Sequence, residues 1–340
     1  MIIVMNNSAT EEHIDNVLKK IKEKGLEGTV SKGTEKTVIG AVGDERLLDS
    51  ELLQSLPGVE QALSIVKPYK IVGREWHPED SVVDVKGHLI GGNHIQIVSG
   101  PCSVETPKQM KESADGVKAA GVKLMRGGAF KPRSSPYSFQ GAGLDGLDMF
   151  RKAANDSGLP MVTELLDVRH LDAFLEKKVD VIQIGTRNMQ NFELLKEVGK
   201  INVPVILKRG MSATISEWLM AAEYIAIGGN HNIIFCERGI RTFETAYRNV
   251  LDVTAIPVLK KETHLPVIVD PSHAGGKAFM VPALSRAAIA AGADGLLVEM
   301  HPNPCEAWCD ADQAITPEEL KTLMKDLTAI AKVLGRSISE

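Results

Sequence analysis

Eight short apolar runs, each followed closely by charged or metal-binding side chains, constrain the fold of this chain more than any other feature. The runs are rich in Val, Ile and Leu, and stretches typical of helices separate them. This alternation is typical of parallel strands that are buried on both faces. The runs lie at 95–99, 122–126, 160–163, 181–184, 203–207, 232–236, 266–270 and 295–299. The sequence therefore predicts an α/β fold, a (β/α)8 TIM barrel, whose strands end around one mouth where reactive side chains are catalytic.

The first 66 residues have a different order of predicted strands and helices, which predicts a separate α+β domain. Their order is strand, helix, strand, strand, helix, strand, which is the ferredoxin-like arrangement. The predicted strands are 2–5, 29–31, 36–43 and 59–66, and the predicted helices are 10–24 and 49–56. We therefore expect a ferredoxin-like regulatory domain at 1–66, a polar linker at 67–80 and the barrel at 81–340. A small hairpin with Lys86-Gly87 at its turn is expected to close the barrel floor.

Several classes of partner are disfavoured by charge and by segment length. Among the 340 residues, 39 Lys and Arg stand against 44 Asp and Glu, for a net charge of -5. This balance gives no support to a nucleic-acid partner or an anionic membrane. The start of the chain lacks the basic and apolar regions of a signal peptide, and no apolar run approaches the roughly 18 residues of a membrane span. We expect a cytoplasmic protein.

The four cysteines, at 102, 236, 305 and 309, do not predict a disulfide framework in a chain of this length. Cys305 and Cys309 stand near His301 and Asp310, so this tail segment is a candidate for a small zinc site. That alternative is the weaker one, because structural zinc sites usually contain a fuller set of closely spaced ligands. The alternative is that Cys305 and Cys309 are ordinary thiols that bind no metal.

Basic residues are concentrated at or just after the ends of the predicted barrel strands. Seven cations facing one cavity would repel one another strongly unless anions filled it. Arginine binds phosphate and carboxylate through two parallel hydrogen bonds, so we expect a multiply anionic ligand with two phosphates and a carboxylate. Some of these residues could instead pair with Glu164 or Glu237. The seven cations are Arg126, Lys131, Arg133, Arg187, Lys208, Arg209 and Arg238.

A mixed set of metal-binding side chains follows the first, seventh and eighth runs, which are neighbours in a closed barrel. Cys102, His273, Glu299 and Asp310 supply a thiolate, an imidazole and two carboxylates, which suits Mn, Fe, Co or Zn. The alternative for His273 is a hydrogen-bonded loop histidine. Lys208 leaves a second chemistry open, because a desolvated lysine among cations can form a Schiff base.

Long motifs at these positions closely resemble the 3-deoxy-D-arabino-heptulosonate 7-phosphate (DAHP) synthase family. The resemblance covers residues 68–338, and residues 1–66 resemble the ferredoxin-like regulatory domain of one branch of that family. The motifs are GPCSVE (100–105), LMRGGAFKPRSSPYSFQG (124–141), QIGTRN (183–188), LKRG (207–210), CERGIRTF (236–243), DPSHAGG (270–276) and VEMHPNP (298–304).

This resemblance implies a metal-dependent condensation of phosphoenolpyruvate with erythrose 4-phosphate, the first step of the shikimate pathway to aromatic amino acids. It implies metal ligands at Cys102, His273, Glu299 and Asp310. For that reaction, our hypothesis is that Lys131 donates a proton to the developing alkoxide and that Glu164 or His273 orients the water. The resemblance further implies a homotetramer, and tyrosine or phenylalanine as a candidate inhibitor at the N-terminal domain. The implied substrate-binding residues are Arg126, Lys131, Pro132, Arg133, Ser134, Arg187, Lys208, Arg209, Glu237 and Arg238.

Two rival functions remain at this stage. The related 3-deoxy-manno-octulosonate 8-phosphate synthases use arabinose 5-phosphate and typically carry a KANRSS-like segment, where this chain has KPRSS. They also lack the N-terminal domain. The second rival is a non-catalytic ligand sensor, which the intact set of cations and ligands disfavours. Ser134 stands where threonine is commoner in DAHP synthases, and either hydroxyl can bind phosphate.

Overall fold

The computed structural model describes residues 1–33, 36–64 and 67–338. The chain divides into two compact units, Met1–Lys70 and Ile71–Glu340. Within the described residues, no helix is both long enough and apolar enough to cross a membrane.

The first unit is a four-stranded antiparallel sheet with two helices. Its sheet order is β2-β3-β1-β4, which confirms the predicted ferredoxin-like fold. Its elements are β1 (Ile2–Met5), α1 (Glu11–Glu23), β2 (Glu27–Lys32), β3 (Thr37–Val42), α2 (Ser50–Gln54) and β4 (Val59–Leu63). The last predicted strand, 59–66, ends at Leu63, and positions 65 and 66 lie outside the described residues.

The first helix begins where the sequence predicts, because Thr10 caps it. The Thr10 hydroxyl accepts a hydrogen bond from the His13 N–H, and the His13 ring accepts one from the Thr10 N–H. Ile14 and Ile21 face the sheet and are buried with Ile3 of β1 and Ile39 of β3. One continuous apolar core therefore holds the helix against the sheet.

The second unit is a closed barrel of eight parallel strands, which confirms the predicted TIM-barrel fold. The strands pair in chain order, and the eighth pairs with the first, so the sheet closes. The strands are β7 (His94–Gly100), β8 (Leu124–Arg126), β9 (Met161–Glu164), β10 (Val181–Ile184), β11 (Val205–Lys208), β12 (Ile233–Glu237), β13 (Val267–Val269) and β14 (Gly295–Glu299). They follow the hairpin strands β5 (Val83–Val85) and β6 (His88–Ile90), and a last strand, β15 (Ser337–Ile338), pairs in parallel with β7.

Several helices of this unit begin at a residue whose side chain caps the first turn. Thr106 caps α3, with Pro107 at the first helical position, and Thr316 with Glu319 forms a capping box on α11. The sequence predicts a helix over residues 212–227, and in the structure it begins at Ile215, because Thr214 is its N-cap. The helices are α3 (Pro107–Ala119), α4 (Gly143–Ser157), α5 (Leu171–Glu176), α6 (Phe192–Gly199), α7 (Ile215–Ile227), α8 (Ala255–Glu262), α9 (Pro271–Gly275), α10 (Val281–Ala290) and α11 (Pro317–Val333). Of these, α4, α5, α8 and α10 begin without a side-chain cap.

The β5–β6 hairpin packs against the interior of the barrel. Its turn is formed by Lys86 and Gly87, which both have positive φ. Val83, Val85 and Ile90 share one buried cluster with at least one interior residue from each of the eight strands. The hairpin thus seals the barrel with apolar side chains at the end opposite to the polar cavity.

The connecting segment is hydrogen-bonded to the barrel from Ile71 onward. The backbone N–H groups of Ile71 and Val72 donate to the buried carboxylate of Glu223 at 2.9 and 3.1 Å. His264 contacts the Ile71 carbonyl through Nε2 at 2.9 Å and the Ser81 hydroxyl through Nδ1 at 2.7 Å. Residues 71–80 therefore belong to the second compact unit.

Candidate active site

A polar cavity of about 360 Å³ lies at the carboxyl ends of the barrel strands. Most of the residues that the sequence singles out meet there, although they come from loops far apart in the chain. The sequence-predicted residues that line it are Arg126, Lys131, Pro132, Arg133, Ser134, Glu164, Arg187, Lys208, Arg238, His273 and Asp310. Cys102 and Glu299 do not line the cavity wall and instead lie buried against its lining residues.

Cys102, His273, Glu299 and Asp310 come together as the sequence predicts. One ligand atom from each of the four lies within 4.8 Å of all the others. The Cys102 thiol is 3.3 Å from Asp310 Oδ2, and His273 Nε2 is 3.4 Å from Glu299 Oε1. A sulfur, a nitrogen and two carboxylate oxygens at such spacing form a donor set for a transition-metal ion.

The orientation of His273 fits metal binding. Its Nδ1 lies 2.7 Å from Asp270 Oδ2, and its other nitrogen faces Glu299 and Asp310. Burial lowers the pKa of His273, so the ring is neutral at neutral pH. With the proton on Nδ1, the Nε2 lone pair points at two carboxylates, an arrangement that a bound cation stabilises. Asp270 is therefore the group that orients the histidine.

The carboxylates of the cluster are kept ionised. Burial alone would raise the pKa of Glu299, but His273 and Arg126 lower it overall. Arg126 lies 2.8 Å from Glu299 Oε1 and also donates to the Pro101 carbonyl. Burial likewise opposes ionisation of Asp270, yet His273 and Lys208 hold its pKa well below the ordinary value. The cluster thus keeps its negative charge where a cation would bind.

Cys309 lies beside Cys102, and Cys305 does not join it. The hydrogen bond with Cys309 and burial raise the pKa of Cys102, while the same bond lowers the pKa of Cys309 to about 7. Cys309 is buried and 3.1 Å from the Ser103 hydroxyl, whereas Cys305 is exposed. The candidate zinc site in the tail is therefore wrong for the described residues. Their single cluster of possible metal ligands includes Asp310 but neither Cys305 nor Cys309.

Two lysines of the cavity contact the cluster or the aspartate that orients its histidine. Lys131 Nζ lies 2.9 Å from the Cys102 sulfur and donates to the Cys102 carbonyl at 3.1 Å. Lys208 pairs with buried Asp270 at 2.5 Å. The Lys208 amine is thus engaged by a buried carboxylate and not free to attack a carbonyl, which disfavours the Schiff-base alternative.

Arg238 is buried in the cavity wall without a matching anion. It is 4% exposed, and burial lowers its pKa. Among the described residues no carboxylate lies within 4.0 Å of it, and its one hydrogen bond, to the Gly239 carbonyl, is 3.5 Å long. A buried guanidinium in this state gains most from an anionic ligand, because burying an unpaired charge is costly.

Glu164 lines the same cavity and fills space that Gly185 leaves open. A Cβ atom at position 185 would lie 1.8 Å from Glu164 Oε1. The carboxylate of Glu164 therefore depends on a glycine at the end of the neighbouring strand. It is the one glutamate among the described residues that line this cavity.

Arg209 and Glu237 are not among the cavity-lining residues. Arg209 pairs with Glu237 at 2.9 Å and with Asp252 at 2.8 Å, and it stacks near Trp218. Burial raises the pKa of Glu237, although Arg209 opposes that shift. The geometry places this pair behind the wall as a structural contact between β11 and β12, which differs from the substrate-binding role that the sequence suggests.

Sequence reasoning missed two polar residues, Arg248 and Gln313. Arg248 lines the cavity, and buried Gln313 contacts Glu299. Gln183, in the QIGTRN motif at the end of β10, lines the cavity as well. Arg248 follows Arg238 in the same long loop, and a basic residue in that loop was the available signal. Gln313 had none, since a single glutamine in a polar tail looks like a solvated residue. Arg248 lines the cavity and Arg209 does not, so the number of lysines and arginines that line it is still seven.

Comparisons with known proteins agree with this geometry. A family model described as the DAHP synthetase I family matches residues 79–334, and one described as the DAHP synthase ferredoxin-like domain matches residues 1–67. Phospho-2-dehydro-3-deoxyheptonate aldolase of Thermotoga maritima is 49% identical over 339 residues, which cover 100% of both chains. A 2-dehydro-3-deoxyphosphooctonate aldolase of Syntrophotalea carbinolica is 31% identical over 72% of this chain and 94% of its own.

Solved structures give the same result. The crystal structure of the Thermotoga maritima DAHP synthase matches with a TM-score of 0.96 at 48% identity and covers 99% of both chains. A truncated form of the Thermotoga maritima enzyme matches with a TM-score of 0.75 at 47% identity, over 80% of this chain and 99% of its own.

Proposed function

This chain belongs to the DAHP synthetase I family, and from that premise we propose how its own residues carry out the reaction. The activity is that of a 3-deoxy-7-phosphoheptulonate synthase (EC 2.5.1.54), a transferase of the shikimate pathway. Phosphoenolpyruvate, erythrose 4-phosphate and water give DAHP and inorganic phosphate. The arabinose 5-phosphate alternative is disfavoured, since the octonate enzymes match at 31% identity over part of the chain and the heptonate enzyme at 49% over all of it.

The single observation that carries the proposed substrate site is the seven-cation cavity. Two phosphates and one carboxylate match those cations, and Arg238 in particular lacks a protein anion. Phosphoenolpyruvate is proposed to bind Arg126, Lys131, Arg187, Lys208 and Arg238. Erythrose 4-phosphate is proposed to bind the segment from Lys131 to Ser134, whose side chains line the same cavity.

Cys102, His273, Glu299 and Asp310 are proposed to hold one divalent ion, Mn, Fe, Co or Zn. When bound there, the ion supplies Lewis acidity that polarises an aldehyde oxygen. The protein positions the two substrates so that the enol carbon of phosphoenolpyruvate meets the aldehyde carbon of the sugar. Asp270 supports the site by holding His273 in the tautomer that presents Nε2.

Proton transfers are assigned to side chains that contact the cavity. Lys131 lies against the ligand cluster and is proposed to donate a proton to the oxygen that develops from the aldehyde. Glu164 is proposed to orient the water that adds to the carbon bearing the phosphate. His273 is a weaker candidate for that role, because Nδ1 contacts Asp270 and Nε2 faces Glu299.

The decisive experiment measures phosphate release from phosphoenolpyruvate by metal-loaded protein, with erythrose 4-phosphate and arabinose 5-phosphate tested in parallel. We expect turnover with the four-carbon sugar and loss of turnover on chelation. A preference for the five-carbon sugar would move the activity to the octonate enzymes. Cys102→Ser tests the ligand set: full, chelator-sensitive activity in this variant would remove Cys102 as an essential ligand.

The N-terminal unit is proposed to be regulatory. Its match to the DAHP synthase ferredoxin-like domain supports a role in binding tyrosine or phenylalanine as a feedback inhibitor. We also propose a homotetramer and a cytoplasmic location, as is general for biosynthetic enzymes of this kind.

A further inference from the structure

Arg248 on the cavity wall is linked to a ligand of the proposed metal site through one buried amide. The Arg248 guanidinium donates to Gln313 Oε1 at 2.9 Å, and Gln313 Nε2 donates to Glu299 Oε2 at 2.6 Å. A guanidinium can only donate and a carboxylate can only accept, so the Gln313 amide has one favourable orientation. Gln313 is 2% exposed, so its bond to Glu299 is shielded from water.

The backbone around Arg248 is also tied to the segment that carries His273. The Arg248 and Asn249 N–H groups donate to the Gly275 and Ala274 carbonyls at 3.2 and 2.8 Å. The Asn249 side chain donates to the His273 carbonyl at 3.3 Å. Gly276 permits this approach, since a Cβ there would lie 2.6 Å from Arg248 Cβ. Arg248 is thus connected to two of the four proposed ligands.

The charge on Arg248 remains available to a ligand in the cavity. Among the described residues, no carboxylate lies within 4.0 Å of its guanidinium, which donates a hydrogen bond to the neutral Gln313. After the larger effect of burial, Arg248 contributes to lowering the pKa of Arg238, so the two cations act on the same region. The remaining N–H groups on the guanidinium can bind an anion without breaking the bond to Gln313.

We propose that Arg248 binds a substrate phosphate and that Gln313 couples this binding to the orientation of the metal ligand Glu299. A phosphate on Arg248 fixes the guanidinium, the guanidinium fixes the amide, and the amide holds Glu299 in its ligating position. Phosphate binding and metal binding therefore strengthen each other by the same factor. Gln313 is a positioning residue, and Arg248 is a binding residue. This inference rests on the metal site proposed above.

The test measures Mn²⁺ affinity by titration calorimetry on apo-protein, with and without inorganic phosphate. Wild-type protein should bind Mn²⁺ about fivefold or more tightly in phosphate, the usual size of such coupling. Gln313→Met should weaken Mn²⁺ binding about tenfold and remove the phosphate effect, as expected for loss of a group that holds a metal ligand. Arg248→Gln should change Mn²⁺ affinity little without phosphate, yet lose the phosphate effect.

Steady-state kinetics identify the source of the phosphate. In Arg248→Gln, the KM for only one substrate should rise about tenfold, as for the loss of one charged hydrogen bond. A rise for erythrose 4-phosphate assigns Arg248 to the sugar, and a rise for phosphoenolpyruvate assigns it to the other substrate. Arg241→Gln, in the same loop but outside the cavity, is the matched control and should change neither KM.

Any of three results would overturn the proposal. The Mn²⁺ affinity of the wild type could be the same with and without phosphate, or Gln313→Met could bind Mn²⁺ as tightly as the wild type. The third is an Arg248→Gln protein whose Mn²⁺ affinity still increases in phosphate. Glu299→Gln separates this failure from failure of the metal site. If Glu299→Gln weakens Mn²⁺ binding and Gln313→Met does not, only the coupling is wrong. If neither variant weakens it, the metal site itself is wrong. If the buried position 313 does not tolerate substitution, the effect of phosphate on the Mn²⁺ affinity of Arg248→Gln still tests the proposal.

Discussion

Small changes at single positions of the cavity should have large effects, and Gly185 is the clearest case. A methyl group there would collide with the Glu164 carboxylate, whose oxygen lies 1.8 Å from the ideal Cβ position. We expect Gly185→Ala to displace Glu164 and lower kcat about 100-fold, the usual cost of misplacing a catalytic group by about 1 Å. The melting temperature should change little, because the carboxylate can move into the open cavity.

The control for that variant is Gly40→Ala, where the nearest atom to a new Cβ lies 3.9 Å away. It should leave kcat unchanged. A Gly185→Ala enzyme with wild-type kcat would show that the position of Glu164 does not matter to the reaction.

Arg238 should show opposite effects on activity and on stability. Replacing it with glutamine removes a buried cation that has no protein anion but is proposed to bind phosphoenolpyruvate. We expect kcat/KM for phosphoenolpyruvate to fall about 100-fold or more, since truncating one partner of a buried charged pair costs about 2–5 kcal/mol. Without substrate, the melting temperature should rise. Unchanged kcat/KM together with a lower melting temperature would contradict the proposed role.

Contacts between neighbouring strands depend on a buried ion pair that does not line the cavity. Arg209 follows β11 and Glu237 ends β12, and both are buried. Arg209→Met should lower the free energy of unfolding by about 3–5 kcal/mol, because it leaves Glu237 buried and unpaired. The KM values should change little, in contrast to Arg238→Gln. Denaturant titration and steady-state kinetics distinguish the two outcomes.

The double variant Arg209→Met with Glu237→Leu provides the internal check. Removing both charges should recover part of the lost stability, because no unpaired buried carboxylate remains. If the single variant instead raises a KM strongly while remaining stable, Arg209 contacts substrate after all.

The attachment of residues 71–80 to the barrel should depend on pH through His264. Burial lowers the pKa of His264, so its folded pKa lies below the unfolded value of about 6.5. Between these two values the unfolded chain binds more protons, and stability therefore falls as pH decreases from about 6.5. His264→Gln should lack this contribution. The difference in melting temperature between wild type and His264→Gln, measured in the presence of a chelator, should become smaller between pH 7.5 and pH 5.5. If the difference is the same at both pH values, His264 does not titrate as proposed.

The division of the whole chain into two units predicts separable catalysis and regulation. The residues proposed to be catalytic or to bind the metal all lie in the second unit, which closes its own barrel and has its own core. Deleting residues 1–66 should therefore leave phosphate release within about twofold of the full chain and abolish inhibition by tyrosine or phenylalanine. Inhibition that survives the deletion would place the effector site on the barrel.

Local patterns in the sequence predicted both folds correctly. The eight apolar runs determine the barrel because a strand buried on both faces needs a continuous apolar sequence. The helix starts at Thr10, at Thr106-Pro107 and at Pro317 were also predicted, since a capping side chain and a proline at the first helical position act within a single turn. These features depend on neighbours in sequence. The start of α7 was placed three residues early, because serine and threonine stand close together before it.

The sequence by itself also determined that cations and metal-binding side chains gather at the strand ends, because the parallel barrel brings those ends to one mouth. Only the tertiary structure decided which way each side chain points. It removed Arg209 and Glu237 from the cavity wall, added Arg248, and brought Cys309 and Gln313 against the ligand cluster. Such contacts join residues distant in sequence through rotamers and loop paths. No periodic pattern in the sequence predicts these contacts, because they depend on packing across the whole barrel.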